Sequence, residues 1–159
     1  MKFIGIVGAE GAKFTKTGEN EARILIRAIL TGGAEGYPEI DPVTLVSGHC
    51  HLGGIDIWAE EVADDLKIPK VIFPPKVLSW ESQGTNDGFK ARNIKIAMQS
   101  DIVHNITVKR LPVGFKGMKH NKCYHCDSDS HIKSGGCWTM LRAAKYGNRG
   151  ILHELANTE

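Results

Sequence analysis

Short apolar runs alternate with stretches of helical period along the whole of this sequence. That alternation is the pattern of a parallel sheet covered by helices on both faces. The runs Phe3–Val7, Val43–Val46, Val71–Phe73, Ile102–Ile106 and Ile151–Leu152 read as five strands. All are apolar nearly throughout except the fourth, which His104 and Asn105 interrupt. Between them lie four helical stretches. The first carries Ala22, Leu25, Ile26 and Ile29 on one stripe, and the second carries Ile55, Trp58, Ala59, Val62 and Leu66. On the second, Glu60, Glu61, Asp64 and Asp65 read as a solvated acidic face. The third holds Ile94, Ala97 and Met98. The fourth, Gly136 to Lys145, is read as burying Met140, Leu141 and Ala144 and stopping at a left-handed Gly147-Asn148 cap. The expected class is α/β, a three-layer sandwich around a mainly parallel five-stranded sheet.

The 159 residues fit one domain, 1–159, with an irregular insertion at 110–134 that is longer than an ordinary connection. Hydrophobic residues at 42% and charged residues at 24% exclude wholesale disorder. A formal charge of +2 argues against a protein that coats duplex nucleic acid, while leaving room for a local basic groove. No apolar run approaches the roughly 18 residues of a membrane helix, so no membrane partner is expected. The apolar start ends at Glu10 with Lys13 and Lys16 following, which favours a buried first strand over a signal peptide and a cytoplasmic location.

In a sheet of this kind the loops leaving the strand C-termini share one edge, and ligands bind there. Three glycine turns fall in those loops. They are Gly8-Ala9-Glu10-Gly11, then Ser47-Gly48-His49-Cys50-His51-Leu52-Gly53-Gly54, then Ser134-Gly135-Gly136-Cys137 with Thr139 beyond. Glycine lets backbone N–H groups close on a phosphate, and the dipole of the following helix favours the negative charge.

The second turn, with Ile55-Asp56 and Ala59-Glu60 after it, resembles the "SGGARGGID…A" turn of the SLOG superfamily. That superfamily includes the DNA-processing protein A fold, the YspA-like domains and the LONELY GUY enzymes. Phe89 to Ile94 resembles its "RN" helix start, and Ser134 to Thr139 its final "GG-x-GT" turn. The resemblance implies a Rossmann-like fold that takes a nucleotide or phosphorylated nucleotide derivative. By position it assigns Gly8, Ser47, Gly48, Gly53, Gly54, Arg92, Asn93, Gly135, Gly136 and Thr139 to the ligand, with Ala9, Glu10 and Ser134 beside them. Arg92 is the expected phosphate partner, because its planar fork suits bidentate contact. Members of the family commonly form homo-oligomers.

Some members hydrolyse N-glycosidic bonds of nucleoside monophosphates, and others bind single-stranded nucleic acid. The first activity needs a placed carboxylate. The final turn here lacks the family's glutamate, so Glu10 is the catalytic candidate for a phosphoribohydrolase. Asp56 reads as a cap on backbone N–H groups. The second activity would draw on Lys109, Arg110, Lys116, Lys119 and Lys122. Tyr37-Pro38 and Trp80 are loop aromatics suited either to stacking on a base or to covering the core.

The insertion carries Cys123-x2-Cys126, then His131 and Cys137, a spacing similar to a zinc knuckle. Zinc takes a closed tetrahedral set of sulfur and nitrogen donors in structural sites. Cys123, Cys126 and His131 are the three firm ligands, and Cys137 or His120 the fourth. A disulfide or free thiols are the alternatives. A polar insertion with few apolar residues has little else to order it, which favours the metal. His49-Cys50-His51 forms a second cluster, read first as a locally hydrogen-bonded turn and otherwise as a base or thiol reaching into the pocket or an additional metal ligand.

Overall fold

The computed structural model describes residues 2–32, 42–81, 87–120 and 122–159. Tyr37, Pro38 and the stretch 82–86 of the loop after the third strand lie outside the described residues. In chain order the elements are β1 (Lys2–Gly8), α1 (Lys16–Thr31), β2 (Val43–Ser47), α2 (Ile55–Asp65), β3 (Lys70–Ile72), α3 (Phe89–Gln99), β4 (Ile102–Val108), α4 (Gly136–Lys145) and β5 (Arg149–Leu155). The five strands form one all-parallel sheet in the order β3-β2-β1-β4-β5. Winding runs outward from β1 to β3, then crosses back to place β4 beside β1. The strand order therefore reverses between β1 and β4.

The period of two along the strands sorts the side chains into two cores. Ile4 and Ile6 of β1, Leu45 of β2, and Ile102 and Ile106 of β4 pack against α1 and α2, with Ala22, Ile26, Ile55, Trp58 and Ala59. Val7, Val46 and Val103 face the other way, onto Ile96 and Ala97 of α3 and Ala143 of α4. Two sheet faces, each under a helix pair, make the three-layer sandwich.

Several local expectations are corrected. β4 is not interrupted: it runs through His104 and Asn105 to Val108 with every residue buried. The two polar residues find partners inside the fold: His104 Nδ1 lies 2.9 Å from His153 Nε2 on β5. Asn105 Nδ2 donates to Cys137 Sγ at 3.2 Å. Ala97 of α3 is buried and Met140 of α4 packs against the second core, both as expected, but the other members of each stripe differ. Ile96 and Ala143 are buried, while Met98 is 62% and Leu141 43% exposed, and Ala144 is exposed too. Glu60 does not belong to the solvated face of α2: it is 8% exposed and turned toward the end of β2, whereas Glu61, Asp64 and Asp65 are exposed.

The C-terminal tail fastens this framework. Asn157, fully buried at a φ of 57°, accepts the Thr15 N–H at 2.9 Å and donates to the carbonyls of Lys13 and Arg110 at 3.0 and 2.9 Å. It thereby ties the loop after β1 to the first residue of the insertion.

Candidate functional site

A cleft of about 670 Å³ opens at the carboxyl edge of the sheet, beside the β1/β4 reversal. Five segments build it. Val7 to Glu10 and Lys13 come from the loop after β1, and Cys50, His51, Leu52 and Asp56 from the loop after β2 and the first turn of α2. Trp80 precedes α3, which itself supplies Phe89, Arg92, Asn93 and Ile96. Ser134, Gly135, Gly136, Trp138 and Thr139 come from the start of α4, and Tyr124, His125 and Lys133 from the insertion. The volume lies within the ordinary range of small-molecule sites.

Of the residues singled out in the sequence, Gly8, Ala9, Glu10, Arg92, Asn93, Ser134, Gly135, Gly136 and Thr139 are brought together on this cleft. Ser47, Gly48, Gly53 and Gly54 are not on its wall. Ser47 is fully buried and donates to Glu60 Oε2 at 2.9 Å. The same carboxylate meets His49 Nδ1 through Oε1 at 2.7 Å, so one buried glutamate clamps the turn from both sides. Gly48 offers its carbonyl to Arg92 Nη1 at 2.7 Å, while Arg92 Nε donates to Asn93 Oδ1 at 2.8 Å. Gly54, at a φ of 83°, sits against the backbone of Ala9 and Glu10, where a Cβ has no room. The backbone of the second turn thus supports the site, and its side chains at 50–52 reach it. Gly8 is required for another reason, since a Cβ there would strike the Ile106 carbonyl of β4.

Asp56 caps the backbone N–H of Cys50, in the loop before its helix, at 3.1 Å through Oδ2. Burial pushes its carboxyl up to about 6, against the opposing pull of Arg92 and the Cys50 N–H. Burial also lowers the Lys13 ammonium, with Glu10 acting against it, and raises the Cys50 thiol. Aromatic rings cover the rest of the wall. Trp80 and Trp138 meet edge to face at 5.0 Å, His51 stacks on Phe89 at 6.0 Å, and Arg92 lies over Phe89 at 5.4 Å. A planar ligand with an anionic group finds both flat apolar surfaces and cations here.

Sequence reasoning missed Asp56 as a cleft residue, and with it Phe89, Trp138, Tyr124, His125 and Lys133. Tyr124 and His125 are the spacers of Cys123-x2-Cys126, so their signal was hidden by the residues around them. Lys109, before the insertion, and Arg110, Lys116, Lys119 and Lys122 on it are exposed and are not part of the cleft wall.

Behind that wall the donor atoms of Cys123, Cys126, His131 and Cys137 all lie within 4.8 Å of one another. His131 Nε2 is 3.5 Å from Cys126 Sγ and 3.4 Å from Cys137 Sγ. Tetrahedral zinc with ordinary bond lengths separates such nitrogen and sulfur donors by about 3.6 Å. An antiparallel bridge between Cys123 and Ser128 shapes the turn, with the Cys123 N–H donating to the Ser128 carbonyl at 2.8 Å. His131 Nδ1 meets Glu154 Oε2 of β5 at 3.0 Å, which leaves Nε2 to face the sulfurs. Cys137, fully buried, completes the group and does not line the cleft. His120 packs its ring on Tyr124 at 5.5 Å and is not part of the group.

The thiols differ sharply. Burial acts to raise Cys123, but backbone groups at Ser134, Cys126 and His125 outweigh it and bring the thiol down to about 6. Cys137 is pushed well above the ordinary thiol range by burial and by the neighbouring Cys123, and burial raises Cys126 as well. Ionising all three needs a cation among them, and a divalent metal supplies that charge.

Fold and site define a class: a Rossmann-like α/β domain with a ligand-sized cleft at its switch point and a Cys3His group behind one wall. Among solved structures the chain is similar to the molybdenum cofactor carrier protein MCP from Chlamydomonas reinhardtii, at 17% identity and a TM-score of 0.54, over 95% of this chain and 75% of that one. At that identity the likeness is one of fold. No family model and no curated protein sequence matches the chain. Among the described residues no helix is long and apolar enough to cross a membrane.

Proposed function

We propose that this chain is a single SLOG-type domain that binds a nucleotide or phosphorylated nucleotide derivative in the cleft, with an insertion, 110–134, held by zinc. One observation carries the reading. Loops from β1, β2 and β4 and the start of α3, far apart in sequence, line a single cleft where the strand order reverses. The start of α4 points its positive dipole end at the cleft, although the N–H groups of Cys137 and Trp138 are taken by the Ser134 and Gly135 carbonyls, and Gly135 has open space where a side chain would stand. The named ligand of the MCP protein, a cofactor held by a carrier, fits a role of binding without turnover.

Arg92 is the proposed phosphate partner. It keeps donors beyond the two spent on Gly48 and Asn93, and those two bonds fix its fork in place. Calorimetric titration of the zinc-loaded chain with a panel of nucleoside mono- and diphosphates is expected to give micromolar binding. Arg92→Ala is expected to weaken it at least about tenfold, or about 1.4 kcal/mol. A panel that gives no heat and no competition removes the proposal.

A second reading, hydrolysis of an N-glycosidic bond, is favoured by Asp56. A buried carboxyl with its pKa near 6 on a cleft wall is suited to proton transfer, and Glu10 supplies a second carboxylate on the same wall. Release of free base from a nucleoside monophosphate, abolished in Asp56→Asn, would establish it. Tight binding with no release over many hours excludes it.

A further inference from the structure

The ligands of the Cys3His group and the wall of the cleft interleave along the chain. Tyr124 and His125 fill the gap between Cys123 and Cys126, and both line the cleft. Of the five residues between His131 and Cys137, all but Ile132 line it as well: Lys133, Ser134, Gly135 and Gly136. The donor atoms point inward to one another, whereas the spacers face the cavity. Lys133 Nζ stands 5.7 Å from the Tyr124 ring centre, and the Lys133 carbonyl receives Lys13 Nζ at 3.3 Å, so this wall also meets the loop after β1.

The group is anchored to the sheet at two points. Cys137 accepts from Asn105 of β4, and His131 meets Glu154 of β5. Cys123 and Cys126 have no strand of their own: a bridge to Ser128 inside the insertion is the one ladder contact among the described residues that holds them. Besides the four donors, the turn is held through Cys123 donating to the Ser134 carbonyl at 3.8 Å and through Tyr124 against His120 and Lys133, all of them residues of the same insertion. With a shared cation, two covalent-strength bonds fix it to His131 and Cys137.

Resting on the reading of the cleft as a nucleotide site, we propose that Tyr124, His125 and Lys133 are ligand-contacting residues whose placement depends on metal in the Cys3His group. Metal loading then sets whether the cleft is closed on that side. Tyr124 and His125 offer flat faces to a planar ring. Lys133 and Lys13 offer ammonium groups to an anionic moiety, beside the start of α4. Metal and ligand are linked reciprocally: each raises the affinity of the other by the same factor.

Zinc ion alone tests the metal half of this on the full chain. Hydrogen exchange is followed in peptides covering 122–138 and, as an internal reference for folding, in β1 and β4. Stripping zinc with a chelator is expected to speed exchange at 122–138 at least about tenfold while β1 and β4 keep their protection. The emission of Trp138 should shift in parallel, and Cys126→Ser should behave as the stripped protein does. Lys133→Ala should keep zinc affinity and protection unchanged, while weakening at least about fivefold whichever nucleotide the calorimetric panel identifies. A chain that binds no zinc, or whose 122–138 exchange stays within twofold on stripping, overturns the proposal. So does a Lys133→Ala chain that binds nucleotide as tightly as the parent. If no nucleotide binds while exchange at 122–138 does depend on zinc, the nucleotide reading falls and the metal-built wall stands.

Discussion

Asp56 occupies a position where an apolar residue would cost less. It lies in the first turn of α2 between Ile55 and Ile57, and only 7% of it is exposed. Its unfolded carboxyl titrates near 3.8 and its folded one near 6, so between these values the folded state holds the extra proton. Stability therefore falls as the pH rises through that window, and above it the full cost stands, at most about 3 kcal/mol. Asp56→Asn keeps an oxygen for the Cys50 N–H and discards the charge. It is expected to leave the unfolding midpoint near pH 4 unchanged and to raise it at pH 7.5, as read by urea unfolding across that range. Glu60 is the opposite case, because both of its oxygens are occupied by Ser47 and His49. Glu60→Ala leaves the buried Ser47 hydroxyl, as a donor, only the long contact to the Asp56 carbonyl at 3.5 Å and releases the turn that carries the Gly48 carbonyl. A loss of about 1–3 kcal/mol in thermal unfolding is expected, with weaker nucleotide binding through a loosened Arg92. The capping role of Asp56 was legible from sequence, whereas its place on the cleft wall and the burial of Glu60 were not. A helical wheel puts Glu60 among charges, and only the end of β2 turning toward it reveals the burial.

At the scale of elements, the order of strands and helices was legible because burial on both faces leaves nothing but apolar runs for strands. β4 shows where that reasoning fails. His104 and Asn105 look like an interruption, yet their partners, His153 and Cys137, come from sequence-distant elements that no local pattern reports. The same distance hid which residues join Ala97 on α3 and Met140 on α4, since the neighbouring helix and not their most apolar side chains sets the choice. The histidine pair has a consequence in acid. Burial and the neighbouring His153 hold His104 down to about 3, and burial lowers His153 as well. Their neutral forms contribute stability that is complete above the ordinary imidazole range near 6.5. It is lost as the pH falls from there toward 3. His104→Gln is expected to flatten the fall of stability between about pH 6 and pH 4, measured by circular dichroism. An unchanged slope would mean that the pair does not couple β4 to β5. Asp56 works in the reverse sense over part of this range, so the double variant should show which group sets the acid limit.

For the molecule as a whole, the Cys3His group is where the insertion, the sheet edge and α4 meet. Its four donors were legible from spacing, and so was the choice of Cys137 or His120 as an open question. What spacing did not contain is Glu154, twenty-three residues beyond His131, whose carboxylate meets His131 Nδ1 and also Ser130. That contact sets the imidazole so that Nε2 faces the sulfurs, and it makes the nitrogen a better donor. Glu154→Gln is therefore expected to reduce zinc affinity about 10- to 100-fold, measured by competition with a chromogenic chelator, with the donors themselves intact. Zinc held only by the folded chain, as proposed, would make lost affinity appear as lost stability wherever free zinc exceeds the dissociation constant. The same 10- to 100-fold converts to about 1.4–2.7 kcal/mol at fixed free zinc. In excess chelator, parent and variant should instead unfold at nearly the same midpoint, because the contact then has no metal to serve. If the variant is destabilised equally with and without zinc, Glu154 is a structural partner of β5 alone. In that case the orientation of His131 has another cause.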